Sequence, residues 1–304
     1  MSEYDGLLPL YKPRGITSHD CVARLRRLLG FRKIGHAGTL DPDVDGVLIL
    51  CLGRATKVAQ YLLEYGKRYK GVIRLGTATA TEDAGGEIVE SKEIVRPIAR
   101  SRIERVFGSF KGEIRQCPPM YSAVKVNGRK LYEYAREGIT VERPVRRVRI
   151  FNLVIAGGEE NFLPDIPFEV SCSKGTYVRT LAADIGRELG YPAHLQMLTR
   201  TKEGPFELKD SLTFEQVEDL IGHRQFSACL KPLESGLGML DRWTVGDLLE
   251  RKIIHGAVLP APEGFRNHAY AVYNNKGNCL AVYRLHPDRQ GMVKPEKVLV
   301  TGDC

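Results

Sequence analysis

A loop of reactive side chains, followed directly by an apolar run, decides the fold of this chain. Residues 35–46 read GHAGTLDPDVDG, and residues 47–52 read VLILCL. Glycine, proline and aspartate dominate the first segment, and these residues favour turns over regular structure. The second segment is typical of a compact strand. The sequence therefore predicts a polar loop over 35–46 that ends where an apolar strand begins.

Short helices and strands surround this loop in an irregular order. Ser18 is the predicted N-cap of an amphipathic helix that ends at Gly30. Residues 69–75 and 168–172 alternate as half-buried strands do, and another helix is predicted over 178–189. The strict alternation of a parallel βαβ sheet is missing. This mixture predicts an α+β domain over roughly the first 235 residues.

A smaller, β-rich unit is predicted after Leu237. Residues 269–273 and 279–284 have the pattern of short strands, and NNKG (274–277) between them is a hairpin turn signal. We therefore divide the chain into a domain over 1–237 and a second domain over 238–304.

The charge of the chain is basic and unevenly distributed. The 304 residues include 45 Lys and Arg against 37 Asp and Glu, a net charge of +8. Residues 101–150 hold 12 basic and 5 acidic side chains, which gives +7 for this block alone. Clustered positive charge suits a polyanion such as nucleic acid, and it fits a solvated surface equally well. Charge by itself leaves both interpretations open.

Composition excludes several classes of protein. Hydrophobic residues make up 43% and charged residues 27%, as in ordinary globular proteins. No apolar run reaches the ~20 residues that span a bilayer, and the acidic start, residues 1–6, does not resemble a signal peptide. The seven cysteines are scattered without a CxxC pair, which indicates neither disulfides nor zinc. We expect a cytoplasmic protein without a membrane partner.

The aspartates of the loop allow two metal-dependent interpretations. DVDGVL (43–48) imitates the loop of haloacid-dehalogenase-type phosphatases, where an Asp attacks phosphorus beside Mg²⁺. In those enzymes the strand precedes the aspartates, whereas here it follows them. The spacing of Asp41, Asp43 and Asp45 also imitates an EF-hand, but its twelfth position, which should be Glu, is Leu52. The sequence context argues against both metal sites.

A third interpretation takes residues 35–42 as one unit. This unit is similar to the signature G-H-x-G-[ST]-L-D-P of the TruB family of tRNA pseudouridine synthases. Further motifs of that family follow its order, and the resemblance spans about residues 7 to 200. It implies a mixed, mostly antiparallel sheet flanked by helices, and a small PUA-like domain at the C-terminus. The other matching segments are KPRGITS (12–18), KRY (67–69), PPMYSAVK (118–125) continuing to Arg136, and CSKGTYVRT (172–180).

The resemblance implies an isomerisation of uridine to pseudouridine in the T-loop of tRNA, at position 55. The N1–C1′ bond breaks, the uracil turns, and it rejoins through C5, so neither a cofactor nor a metal is expected. Asp41 matches the family's nucleophile, which acts on a flipped-out nucleotide. Arg179 matches the arginine that pairs with it, and Lys12 is interpreted as architectural. The substrate-binding positions carried over from the family are His36, Tyr69, Tyr177, Arg179 and Leu198.

The basic block acquires a role through the same resemblance. A segment at about 112–149 resembles the family's insertion that grips the T-arm of tRNA. Contacts to phosphates fix the register of the RNA without reading its bases. We expect a monomer that needs no obligatory protein partner. The candidate phosphate-contacting residues are Lys125, Arg129, Lys130, Arg136, Arg143, Arg146 and Arg147.

The chain departs from the family directly after the nucleophile. The family commonly reads LATG after Asp-Pro, whereas residues 43–46 read DVDG. Carboxylates facing Asp41 would disfavour its ionisation. We therefore expect Asp43 and Asp45 to point outward into solvent.

Three other functions stay open from the sequence. The first is an RNA-binding protein whose main work is to help tRNA fold. The second is a guide-RNA-dependent synthase that requires partner proteins. The third is a Mg²⁺-dependent phosphatase, which added metal would activate.

Overall fold

The computed structural model describes residues 4–300. Residues 1–3 and 301–304 lie outside the described residues. They include part of the acidic start, which was judged unlike a signal peptide, and Cys304, one of the seven cysteines. The strands, in chain order, are β1 (Gly6–Lys12), β2 (Ile34–Ala37), β3 (Asp45–Leu52), β4 (Lys67–Leu75), β5 (Thr77–Thr79), β6 (Ile88–Ser91), β7 (Ile98–Ala99), β8 (Gly112–Gln116), β9 (Lys125–Val126), β10 (Arg129–Lys130), β11 (Arg146–Ile155), β12 (Asn161–Phe162), β13 (Asp165–Cys172), β14 (Ala193–Glu203), β15 (Phe206–Glu207), β16 (Asp241–Val245), β17 (Leu259–Pro260), β18 (Tyr270–Asn274), β19 (Cys279–Leu285) and β20 (Met292–Val298).

The helices are short and lie between these strands. Three segments form 3₁₀ helices, at Gly53–Lys57, Leu208–Asp210 and Leu233–Leu237. In the described range, 4–300, no helix is long and apolar enough to cross a membrane. The α-helices are α1 (Ser18–Leu29), α2 (Ala59–Leu62), α3 (Arg100–Ser109), α4 (Leu131–Arg136), α5 (Val178–Leu189), α6 (Phe214–Gly222), α7 (Phe226–Cys229) and α8 (Asp247–Ile254).

A nine-stranded sheet forms the centre of the larger unit. Its order is β1-β3-β14-β4-β13-β11-β8, with β2 added beside β3 and β15 beside β14. Neighbouring strands run antiparallel, except that β3 and β14 are parallel. The predicted α+β class with a mostly antiparallel sheet is confirmed.

Strand β3 is buried on both faces, which explains its uninterrupted apolar sequence. Leu48 and Leu50 belong to the core that the sheet forms with α1, α3, α5 and α6. Ile49 points to the opposite face and packs with Leu7 and residues of the C-terminal unit. The loop before β3 is therefore attached to the most deeply buried strand of the sheet.

Helix α1 begins with a capping box, but one residue earlier than predicted. The Thr17 side chain accepts a hydrogen bond from the Asp20 backbone, and the Asp20 carboxylate accepts one from the Thr17 backbone. Ser18 is buried instead, so its assignment as N-cap was wrong. Gly30 ends the helix as predicted, since its φ of 61° suits a residue without a side chain.

The C-terminal unit is a five-stranded sheet of order β16-β18-β19-β20-β17. The hairpin predicted at 274–277 is present, and the side chain of Asn274 accepts hydrogen bonds from the Lys276 and Asn278 backbones. Val282 and Leu299 of this unit pack into the same core as Ile49. The unit is thus β-rich, as expected, and is in direct contact with the main sheet.

The basic insertion is shorter than predicted. Strands β8 and β11 pair with each other inside the main sheet, so the predicted range of about 112–149 overlaps sheet residues at both ends. Only residues 117–145 leave the sheet, and they carry the β9–β10 hairpin and helix α4.

Candidate active site

Asp41 and Arg179 form the wall between two neighbouring clefts. Nη2 of Arg179 lies 3.0 Å from Oδ2 of Asp41, and both residues line both clefts together with Leu198. One cleft, of about 410 Å³, extends to Tyr69 and Tyr177; we call it the tyrosine cleft. The structure thus brings five of the six predicted substrate or catalytic residues together.

The backbone on both sides of Asp41 is fixed by buried polar side chains. Lys12 is fully buried, and its Nζ donates hydrogen bonds to the carbonyls of Ile16 (2.6 Å) and Pro42 (3.0 Å). Burial lowers the pKa of Lys12. The Ser18 hydroxyl accepts a bond from the Leu40 backbone at 2.9 Å. Lys12 is therefore architectural, as predicted, while the Asp41 side chain stays 46% exposed.

Arg200 fixes the residues that precede Leu40. Its guanidinium donates to the carbonyls of Gly38 (3.1 Å), Thr39 (3.3 Å) and Val47 (2.7 Å). Arg200 lies on β14, beside β3 in the parallel pair. Together with Lys12 and Ser18 it fixes the loop backbone on both sides of Asp41. Sequence analysis did not identify Arg200 or Ser18 as site residues.

Arg179 has four polar partners and is itself buried. Besides Asp41, its guanidinium donates to the carbonyls of Thr81 (2.9 Å) and Tyr121 (3.0 Å) and lies 3.4 Å from the Asp83 carboxylate. Its side chain is 9% exposed, in the first turn of α5 as predicted. A planar fork of five N–H donors suits several acceptors at once, which an ammonium group does not. Asp83 is a further site residue that sequence analysis missed.

The tyrosine cleft offers aromatic and apolar surfaces beside Asp41. Tyr69, on β4, is buried, and burial raises its pKa, so its phenol stays protonated at neutral pH. Tyr177 is held through its backbone by Gln116, whose amide accepts from the Tyr177 N–H (3.0 Å) and donates to its carbonyl (3.1 Å). Leu198 is 7% exposed and closes the cleft on the β14 side. A flat, uncharged ring fits between such surfaces.

His36 lies apart from the other predicted site residues. It is half-buried on β2 and lines neither of the two clefts. Burial, and then the charge of Arg200, lowers its pKa, so it is neutral at pH 7. Its buried Nδ1 has no hydrogen-bond partner among residues 4–300.

Asp45 does not point into solvent, so its predicted orientation was wrong. Its carboxylate accepts hydrogen bonds from Tyr11 (2.9 Å) and Thr199 (2.5 Å) and lies 3.4 Å from Arg14. Burial would raise the pKa of Asp45, but these three partners outweigh it and lower that pKa. Both oxygens of Asp45 accept hydrogen bonds, so this residue of β3 links its own strand to β1 through Tyr11 and to β14 through Thr199.

The second cleft, of about 450 Å³, carries the remaining carboxylates. Asp43 is exposed as predicted and lines this cleft together with Asp83. Across the described part of the chain, no three His, Cys, Asp or Glu side chains converge as a metal site requires.

The seven residues predicted to contact phosphates differ in whether their side chains already have partners within the protein. Arg129 and Arg147 pair with Glu137 and Glu113, and Arg143 donates to the Pro118 carbonyl at 2.9 Å. Lys130 contacts Tyr132, and Arg136 lies over the same ring. Three of the side chains make neither an ion pair nor a hydrogen bond within the described residues, and all three are exposed: Lys125, Arg136 and Arg146. These three are the cations most available to an anionic partner.

Family models match most of the larger unit. Residues 26–178 match the model described as "TruB family pseudouridylate synthase (N terminal domain)". Residues 179–238 match "tRNA pseudouridylate synthase B C-terminal domain". The second match ends where the C-terminal β-rich unit was predicted to begin.

Relatives of nearly equal length are about 50% identical to this chain in sequence. A protein named tRNA pseudouridine synthase B from Halalkalibacterium halodurans is 53% identical over 296 residues, which cover 97% of both chains. A protein of the same name from Bacillus subtilis is 47% identical, over 97% of this chain and 98% of that protein.

Solved structures resemble the whole chain. The first is titled "Crystal Structure of a Cbf5-Nop10-Gar1 Complex" and has a TM-score of 0.76 at 28% identity, covering 97% of this chain and 85% of that chain. The second is an H/ACA RNP bound to a substrate RNA containing 2′-deoxyuridine, with a TM-score of 0.74 at 27% identity over 98% and 86%.

Proposed function

The chain belongs to the TruB family of pseudouridylate synthases and is an isomerase, and we propose that it converts uridine 55 in the T-loop of tRNA to pseudouridine. We propose Asp41 as the nucleophile and a reaction without cofactor or metal. The observation that carries the proposal is the contact between Asp41 and the buried guanidinium of Arg179 at 3.0 Å. The exposed part of the carboxylate faces the clefts, where a sugar carbon can reach it.

The proposed reaction needs one ionised carboxylate and a closed space for the detached base. An oxygen of Asp41 attacks C1′, and the N1–C1′ bond breaks with its electron pair left on the uracil. The uracil turns in the tyrosine cleft, and C5 then attacks C1′, which releases Asp41. The proton that C5 loses is balanced by the one that N1 gains. Arg179, 3.0 Å away, stabilises the negative charge of the carboxylate before it attacks C1′ and again when it leaves.

The other site residues would hold the base. Tyr69 supplies a flat face for the uracil, and Tyr177 and Leu198 close the tyrosine cleft around it. The base must leave its stack in the T-loop first, at a cost of a few kcal/mol. His36 lies outside the clefts, so we propose it as an RNA contact at the edge of the site.

The insertion supports action without guide RNA. The relatives that are 47–53% identical are named tRNA pseudouridine synthase B, whereas the 27–28% identical chains come from complexes titled Cbf5-Nop10-Gar1 and H/ACA RNP. Residues 117–145 give this chain its own basic surface for the T-arm. We therefore propose a monomer that binds tRNA directly, with the C-terminal unit placed against the acceptor side.

The direct test incubates the purified protein with unmodified tRNA in the presence of EDTA and maps pseudouridine by position. We expect one modified site, position 55, at a rate that chelation does not change. Modification only after a guide RNA is added would favour the guide-dependent alternative. Absence of any pseudouridine under EDTA would contradict the proposed cofactor-free reaction.

The three free cations, two in the insertion and Arg146 directly after it, predict a defined salt dependence of tRNA binding. Reversing Lys125, Arg136 and Arg146 to Glu should weaken tRNA binding. It should also make the negative slope of log K against log salt shallower by about 2 to 3, since each phosphate contact contributes about 0.7 to 0.9 to its magnitude. The measurement is a titration of tRNA affinity at several salt concentrations. A control triple reverses exposed arginines outside the insertion: Arg96, Arg105 and Arg224. Equal slopes in the two triples would exclude the insertion as the tRNA-binding surface.

A further inference from the structure

Two cations and one carboxylate cluster beneath the nucleophile loop; the carboxylate and one cation are fully buried, and the other cation, Lys67, is 10% exposed. Glu203, at the end of β14, is fully buried, and its Oε2 lies 2.8 Å from the guanidinium of Arg200, which is 1% exposed. Its other oxygen, Oε1, lies 3.7 Å from Nζ of Lys67, at the start of β4. We call these three residues the buried triad. None of them was assigned a role by the sequence analysis.

The triad connects two parts of the site that are distant in sequence. Arg200 donates to the carbonyls of Gly38 and Thr39, which lead to Asp41. Lys67 begins the strand that carries Tyr69, and its Nζ also donates to the Tyr65 carbonyl at 2.9 Å. Glu203 lies between the two cations and is their shared counter-charge.

The loop backbone rests directly against the Glu203 carboxylate. A Cβ placed on Gly38 would come within 2.0 Å of Oε1 of Glu203, and Gly38 has a φ of +78°. Any side chain there would collide with the carboxylate and would also strain the backbone. The second glycine of the GHAG segment is thus required because the loop is seated on Glu203.

Stability alone does not account for such an arrangement. Removing three charged groups from water is costly, and apolar residues of similar volume often stabilise a fold equally well. Burial raises the pKa of Glu203, while the charges of Arg200 and Lys67 oppose that shift and favour its ionised form. The charged triad holds the Arg200 guanidinium within hydrogen-bond distance of the Gly38 and Thr39 carbonyls. Apolar packing would not provide these contacts.

We propose that Glu203 is a positioning residue for the isomerisation: by fixing Arg200 and Lys67 it sets the distance between the Asp41 loop and the Tyr69 strand. The proposal rests on the proposed role of Asp41 as nucleophile. A displacement of about 1 Å between reacting groups slows catalysis by about 10²-fold. Substrate affinity depends mainly on phosphate contacts elsewhere, so the effect should fall on the chemical step.

The test compares single-turnover rates and tRNA affinities of E203Q, which keeps the shape of the side chain and removes its charge. We expect the rate of pseudouridine formation to fall about 10²-fold, while the dissociation constant for tRNA stays within about threefold. E207Q is the matched control: Glu207 pairs with Lys202 at 2.9 Å on the partly exposed neighbouring strand, and its loss should leave the rate unchanged. A wild-type rate in E203Q, or a loss of affinity that accounts for the whole defect, overturns the proposal.

A double variant separates positioning from general destabilisation. In E203Q the two cations face each other without a counter-charge, so K67M/E203Q should recover about tenfold of the lost rate. If E203Q does not fold, K67M/E203Q is compared with K67M instead; the proposal requires a slower double variant, and equal rates overturn it. Turnover by D41N would disprove the nucleophile itself, which is a result distinguishable from wild-type turnover by E203Q.

Discussion

Asp41→Asn abolishes pseudouridine formation in our expectation, with a fall in rate of at least about 10⁴-fold, as for removal of other covalent nucleophiles. The amide has the shape of the carboxylate but no charge with which to attack C1′. The loop is fixed through the backbones of Leu40 and Pro42, so the variant should fold and bind tRNA with affinity within about threefold of wild type. The measurement is single-turnover pseudouridine formation on unmodified tRNA, with affinity from a parallel titration.

The control for this variant is Asp219→Asn, which changes an exposed carboxylate on α6. Its turnover should equal that of the wild type. An Asp41→Asn protein that still forms pseudouridine at more than a few per cent of the wild-type rate would remove Asp41 from the mechanism. If the same variant loses turnover but still assists tRNA folding, the chain has a second function that does not depend on the nucleophile.

Local patterns predicted those parts of the site whose determinants are close in sequence. The polar loop, strand β3 and helix α5 were predictable because turn residues, an apolar run and a terminating glycine act over a few positions. The bounds Val178–Leu189 match the predicted helix, which places Arg179 in its first turn. The contact of Arg179 with Asp41 came from the family resemblance, since 138 residues separate the two positions.

The residues that escaped prediction depend on partners far away in the chain. Arg200 has the neighbours of an ordinary surface arginine, yet it binds the carbonyl of Gly38, 162 residues away. Asp45 was expected in solvent because a carboxylate facing Asp41 would disfavour its ionisation, but Thr199 and Tyr11 reach it from β14 and β1. Such contacts follow from the order of strands in the sheet, which no local pattern determines.

Arg179→Lys is expected to lower the rate of pseudouridine formation by about 10² to 10³-fold, comparable to the loss of one preorganised donor in other active sites. The substitution keeps the positive charge, so the electrostatic attraction between residue 179 and the Asp41 carboxylate is retained. It removes the planar fork that also binds the carbonyls of Thr81 and Tyr121 and approaches Asp83. A lysine that reaches Asp41 leaves those buried acceptors without partners, and each such group costs about 1 to 3 kcal/mol.

The matched control is Arg187→Lys, two turns later on α5, where the arginine is 76% exposed and pairs with Asp184. This variant should have wild-type turnover and stability. Comparing the two distinguishes charge from geometry: if charge alone keeps Asp41 reactive, Arg179→Lys will be nearly as fast as Arg187→Lys. A large loss in Arg179→Lys at unchanged tRNA affinity instead means that the orientation of the carboxylate, set by one guanidinium with four partners, controls the chemical step.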